Sequence, residues 1–185
     1  MQYRVSWIWA CAIAWALSAC TTPVGPVVRD QSYQKKLADT TVVWVERPGI
    51  EGQMTKTGPQ GVQFSESDRA KARDDGKLLL ALFNQLAAQH VSQQLTERQV
   101  KLTAVAGTAS TRLILQPVRV QTDCTVMMCN QYMLVTAILQ EESSFKTIWS
   151  ASYKVGAPTP FKHDEGVVKD FARNVMYGLK EAGLL

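Results

Sequence analysis

Gln131-Tyr-Met-Leu-Val-Thr-Ala-Ile-Leu-Gln140 is the stretch whose reading decides the fold. It is rich in apolar, aromatic and β-branched residues, and polar residues close it at both ends, so it predicts a strand. Glu141-Glu142-Ser143-Ser144 follows as a turn, and Phe145 to Val155 then alternates. Phe145, Trp149, Ala151, Tyr153 and Val155 fall on one face, and Lys146, Ser150, Ser152 and Lys154 on the other. Period-two alternation of this kind predicts a strand with one face buried and one wetted. Two strands joined by a short turn run antiparallel.

Working outward, Arg112 to Thr122 predicts a preceding strand, in which Pro117 demands an edge position or a bulge. Gln99 to Val105, closed by Gly107-Thr108-Ala109-Ser110, is a weaker strand candidate. Thr41 to Glu46 is a β-branched run stopped by Pro48-Gly49, and predicts a first strand buried on both faces. Gly49 to Phe64 holds several glycines and no periodicity; its composition favours disorder over a functional loop.

Two helices complete the pattern. Ser65 or Ser67 can cap a helix running to about Gln94, with Leu79, Leu82, Phe83 and Leu86 as its apolar stripe. Gly76 marks either a bend or the true start of the packed part, and the charged stretch Asp68 to Asp75 reads as a solvated face or a frayed turn. Asp164 can cap a second helix, with Val168, Phe171, Ala172, Val175, Leu179 and Ala182 at helical spacing and Gly183 as its stop. Strand, helix, three or four strands, helix predicts an α+β two-layer sandwich. Its sheet is mixed or mostly antiparallel, with four to five strands and both helices on one face.

The N-terminus carries a different message. Arg4 precedes an apolar run from Val5 to Ala16. About a dozen helical residues cover ~18 Å, short of the ~30 Å of a bilayer core. A basic start, a short apolar run and small residues describe a secretory signal. Leu17-Ser18-Ala19-Cys20 closes it and resembles the lipobox of bacterial lipoproteins, position for position. That resemblance implies cleavage before Cys20, acylation of its thiol and amine, and, since Thr21 rather than Asp follows, the outer membrane. An ordinary signal peptide with an incidental Cys20 is the other reading.

The implied division is 1–19 cleaved signal, 20–36 lipidated Cys and tether, and 37–185 a single periplasmic domain. Removing residues 1–19 from 185 leaves 166, enough for one domain. Only Arg4 is lost among charged residues, so the net charge falls from +4 to +3. No Lys/Arg cluster suggests nucleic acid. The tether, Thr21 to Lys36, reaches ~50 Å if fully extended. In the alternative, Val27-Val28 packs onto the domain.

Cys124 and Cys129 flank Thr125-Val126-Met127-Met128 between two predicted strands. In an oxidising compartment this spacing predicts a disulfide rather than a metal site or a redox pair. The tip residues Val126, Met127 and Met128 either contact a protein or lipid partner or fold back over the sheet. Neither His90 nor His163 sits in a recognisable motif, and the pairs Glu141-Glu142 and Asp164-Glu165 read as turn and cap chemistry. No catalytic residue, metal or cofactor is expected.

By element order the body resembles small outer-membrane lipoproteins, among them the lipopolysaccharide-assembly family that plugs a partner barrel. The likeness is architectural, and Thr21-Thr22-Pro23 departs from that family's usual start. The reading that follows is an outer-membrane-anchored, non-catalytic accessory subunit of an envelope assembly, with another envelope protein as partner. The alternative is a binder of lipid or glycolipid.

Overall fold

The computed structural model describes residues 22–50, 55–58, 64–105, 107–124, 129–158 and 164–185. Within them lie β1 (Thr22–Pro23), β2 (Val28–Arg29), β3 (Asp39–Trp44), β4 (Thr55–Thr57), α1 (Glu66–Thr96), β5 (Lys101–Leu102), β6 (Thr111–Cys124), β7 (Cys129–Glu141), β8 (Thr147–Pro158) and α2 (Glu165–Glu181). The fold is α+β, as expected. The described strands form one eight-stranded sheet ordered β1-β8-β7-β6-β3-β5, with β2 also on β8 and β4 also on β6. The strand count exceeds the expected four to five because four of these strands have two or three residues each, too few to leave a pattern in sequence.

The long hairpin meander β6-β7-β8 is antiparallel, whereas β3 and β4 run parallel to β6. A parallel pair needs a crossover, and α1 supplies it between β3 and β6. Inward-facing Leu113, Leu115, Val120, Met133, Val135, Leu139, Ala151, Tyr153 and Val155 are buried. Both helices pack on that face. A chain of ring contacts crosses it: Trp44 to Phe83 at 6.0 Å, Phe83 to Phe171 at 5.5 Å, and Phe171 to Tyr153 at 5.7 Å.

Pro117 sits at a bulge, where the β6–β7 register shifts between Pro117 and Arg119. On its other side β6 pairs β3 only as far as Leu115 and β4 only from Gln121. A residue without an N–H therefore falls in the gap between two neighbouring strands, where no ladder bond is lost. Arg47 Nη1 donates to the Val118 carbonyl at 2.7 Å in that gap.

Several expectations need correction. The first strand begins at Asp39 and is not buried on both faces: Thr40 and Thr41 are buried, but Val42, Val43 and Trp44 are half-buried. It lies near the sheet edge, with only the two-residue β5 outside it among the described strands. The second candidate strand, Gln99 to Val105, shrinks to that β5 because Gln99 takes a positive φ of 63°. Phe145 is not inward-facing. It is 63% exposed with φ 55°, in the turn before β8, and lies over the Arg112 guanidinium at 5.9 Å. The region assigned to disorder contributes β4, and Ile50 at its start is buried.

Both helix caps fall where expected. Ser65 accepts from the Asp68 N–H, and Asp68 accepts in return from the Ser65 N–H, which closes a capping box. Gly76 does not start α1; it is buried within a helix that runs continuously from Glu66 to Thr96. Asp164 Oδ1 accepts from the Gly166 N–H at 2.9 Å, and Gly183 closes the C-terminal end of α2 with φ 69°.

Candidate functional site

The predicted tether is where structure and expectation part most. Its residues are described from Thr22 onward, and they are stitched to the domain. Thr22 and Pro23 stand opposite Lys154 and Tyr153, and Val28 and Arg29 opposite Ser150 and Trp149. Val24 N–H donates to the Ser152 carbonyl at 2.7 Å, and Asp30 N–H to Ile148 at 2.8 Å. Pro23 is admissible because this is an edge. Gly25, at φ 84°, makes the left-handed step between the two short strands.

Side chains reinforce the seam. Arg29 donates from Nε to the Ala182 carbonyl at 3.1 Å, from Nη1 to Asp30 at 2.8 Å and from Nη2 to Tyr33 at 2.6 Å. A cation on the last carbonyls of α2 also meets the negative end of its dipole. Lys146 Nζ lies 2.7 Å from Asp30 Oδ2 and holds the Asp30 carboxyl at about 2, helped by hydrogen bonds from Ser32. Leu37 N–H donates to Leu184 at 2.8 Å. The alternative in which Val27-Val28 packs onto the body is thus nearer the structure, although both side chains remain 52% exposed.

Between this seam and α2 runs a groove of about 710 Å³, lined among others by Pro23, Val27, Arg29, Tyr153, Tyr177 and Gly178. Tyr153 Oη donates to the Asn174 carbonyl at 3.3 Å, and burial raises its phenol well above the ordinary range. Sequence reasoning missed Arg29 and Tyr177. Arg29 gave no periodic signal, and Tyr177 reads as one exposed residue on an amphipathic helix.

A smaller cavity of about 250 Å³ lies between the helices, lined by His90, Gln93, Gln94, Lys169, Ala172 and Arg173. His90 is buried, and its Nε2 stands 3.0 Å from Glu165 Oε1, which Lys169 Nζ also approaches at 3.0 Å. Lys169 first, then His90, hold the Glu165 carboxyl below its usual range. The His90–Glu165 contact joins the start of α2 to α1, and Lys169 lies on α2 itself beside Glu165. Of the adjacent carboxylates, Glu142 pairs with Arg112, Glu141 accepts from Ser144, and Asp164 caps α2.

At the far end of the meander the register sets Cys124 directly opposite Cys129. The tip residues Val126, Met127 and Met128 lie outside the described residues, as do Cys20, His163 and the whole signal. Among the described residues no group of three or more His, Cys, Asp or Glu could hold a metal ion, and no helix is long and apolar enough to cross a membrane.

No family model and no curated protein matches this chain. Among solved structures, lipoprotein GNA1162 from Neisseria meningitidis is similar at TM-score 0.41 and 12% identity, over 78% of this chain and 99% of that one. The PelC dodecamer from Paraburkholderia phytofirmans gives 0.39 and 10%, over 88% and 97%. A minor lipoprotein from Acinetobacter baumannii gives 0.35 and 13%, over 71% and 95%. All three scores lie below 0.5, and nothing about this chain's role follows from them.

Proposed function

We propose that the protein is a lipoprotein held at the periplasmic face of the outer membrane by acyl chains on Cys20. There it serves as a non-catalytic accessory subunit of an envelope assembly. The observation that carries this reading is Leu17-Ser18-Ala19-Cys20 at the end of a short apolar run. One acyl chain binds a membrane marginally, and two or three hold it nearly permanently. The partner is another envelope protein, and the contact is the β6–β7 tip, Val126 to Met128. A Cys124–Cys129 bridge holds that tip. It is supported by their cross-strand register and by the disulfide-bonded state of Cys124.

The rival reading, an amphiphile bound between sheet and helices, has the packing against it. Phe83, Phe171, Leu79, Val135 and Tyr153 fill the centre of that interface, which leaves an amphiphile the groove beside α2. Radioactive palmitate supplied to growing cells tests the anchor. Label on the wild type, absent from Cys20→Ala together with its membrane fractionation, supports it; an unlabelled wild type overturns it. Crosslinking in intact cells tests the partner. A protein adduct lost on Met127→Asp/Met128→Asp supports the tip, and an unchanged adduct in the folded variant removes it.

A further inference from the structure

We infer that the groove between the N-terminal seam and α2 is the face this domain lays against phospholipid. The occupant of its mouth is then the boundary between headgroups and acyl chains. The inference rests on the lipid anchor proposed at Cys20.

Its basis is the loss of the leash. A free tether to Lys36 would let the domain tumble at ~50 Å from the membrane. Instead Thr22 is already paired with Lys154, and Val24 is bonded to Ser152. Only the backbone from Cys20 to Thr22 remains between lipid and sheet, no more than about 7 Å. The β1 edge must therefore stand at the bilayer surface, within the ~5–10 Å depth at which interfacial apolar groups insert.

What that edge presents suits the place. Val27 and Val28 are each 52% exposed and Tyr177 is 62% exposed, and Pro23, Val27 and Tyr177 line the same groove. Tyrosine favours the interface because its ring is apolar and its hydroxyl is wet. Among the described residues that line the groove the one cation is Arg29, and it spends its guanidinium on three carbonyls. Glu181 also borders the groove, and a contact at headgroup depth leaves its carboxylate hydrated.

The test uses the acylated full chain in phosphatidylcholine vesicles whose acyl chains carry bromine, a contact quencher of indole. Tyr177→Trp places a probe in the groove. Val105→Trp places one beyond β5 at the opposite edge, where Val105 is 62% exposed. Trp44 and Trp149 are common to both variants and subtract out. Both sites are exposed, so both variants should keep the wild-type melting temperature. The expected result is quenching at Tyr177→Trp at least about twofold above that at Val105→Trp, given the shallow insertion depth. Vesicle-bound protein with equal quenching, or more at Val105→Trp, overturns the orientation and leaves the anchor standing. Protein that carries no palmitate and does not float with vesicles overturns the anchor, and the orientation with it.

Discussion

Arg29 and Ala182 are joined by a hydrogen bond of 3.1 Å between Nε and a carbonyl, across 153 positions of sequence. The contact ties the start of the described chain to the end of its last helix. Hydrogen bonds to a charged group each contribute about 1.5–3 kcal/mol when buried, and Arg29 is only half-buried. Arg29→Ala should therefore lower stability by about 2 kcal/mol in urea unfolding. It should also expose residues 23–36 to protease before the body is cut. Arg29→Lys should recover little, because a point charge cannot reach three carbonyls that a planar fork serves at once. Unchanged proteolysis in both variants would show that the edge strands alone hold the seam.

Asp30 and Lys146 give that seam a pH dependence. The Asp30 carboxyl is lowered in the folded state to about 2 from an ordinary 3.8, chiefly by the Lys146 ammonium. A depressed carboxylate contributes stability that is present above its unfolded pKa and lost as pH falls through the folded one. The window is thus from about pH 4 down to about pH 2. Thermal midpoints of wild type and Lys146→Met should differ near pH 6 and converge across that window. A constant gap down to pH 2 would place the loss in the Lys146 stem rather than its charge.

How much of this was legible beforehand depended on repetition. The meander shows in the sequence because its three strands are each a dozen or more residues long, with a strongly apolar, β-branched run in β7 and clear alternation in β8. α2 does so because Val168, Phe171, Val175 and Leu179 repeat at helical spacing. Pro117 demands an edge or a bulge, and it sits at a bulge beside a gap. The seam left no such trace. Thr22–Pro23 and Val28–Arg29 are two-residue pairings, and what fixes them is a guanidinium reaching carbonyls far away in sequence. Proline and glycine argued for a free leash, yet both residues are also what a sheet edge tolerates. The parallel placing of β3 beside β6 was equally invisible, since it depends on where α1 delivers the chain.

Gly178 decides how closely α2 approaches β8. A methyl group there would stand 2.6 Å from Tyr153 Oη and 2.9 Å from Trp149 Cζ2. Alanine in a helix gains ~1 kcal/mol over glycine, whereas overpacking costs about 1–3 kcal/mol. Tyr153 and Trp149 are 2% and 0% exposed and have little room to yield, so the cost wins. Gly178→Ala should destabilise by about 1 kcal/mol. The deficit should shrink in a Tyr153→Phe background, which removes the nearer of the two atoms. A more stable Gly178→Ala protein would mean that helix and sheet can separate there without loss.

The Cys124–Cys129 bridge proposed at the hairpin end should matter to a bounded degree. It would close a ring of only a few residues. The chain-entropy estimate for so short a loop is about 2 kcal/mol, near the bottom of the usual range. The register already opposes the two residues, so the bridge adds little to folding direction. Its main effect should be local. Replacing both cysteines by serine should lower stability by about 2 kcal/mol in guanidinium unfolding while the core signal of Trp149 stays native. Hydrogen exchange should quicken first at Asp123 and Asn130, the pair next inside the bridge, and least at Leu115 and Ala137, deeper in the same ladder. Adding reductant to the wild type should reproduce the double variant. Identical midpoints with and without reductant, together with two free thiols by titration, would show that no bridge forms, and the tip would then need another source of rigidity to present a partner-binding surface.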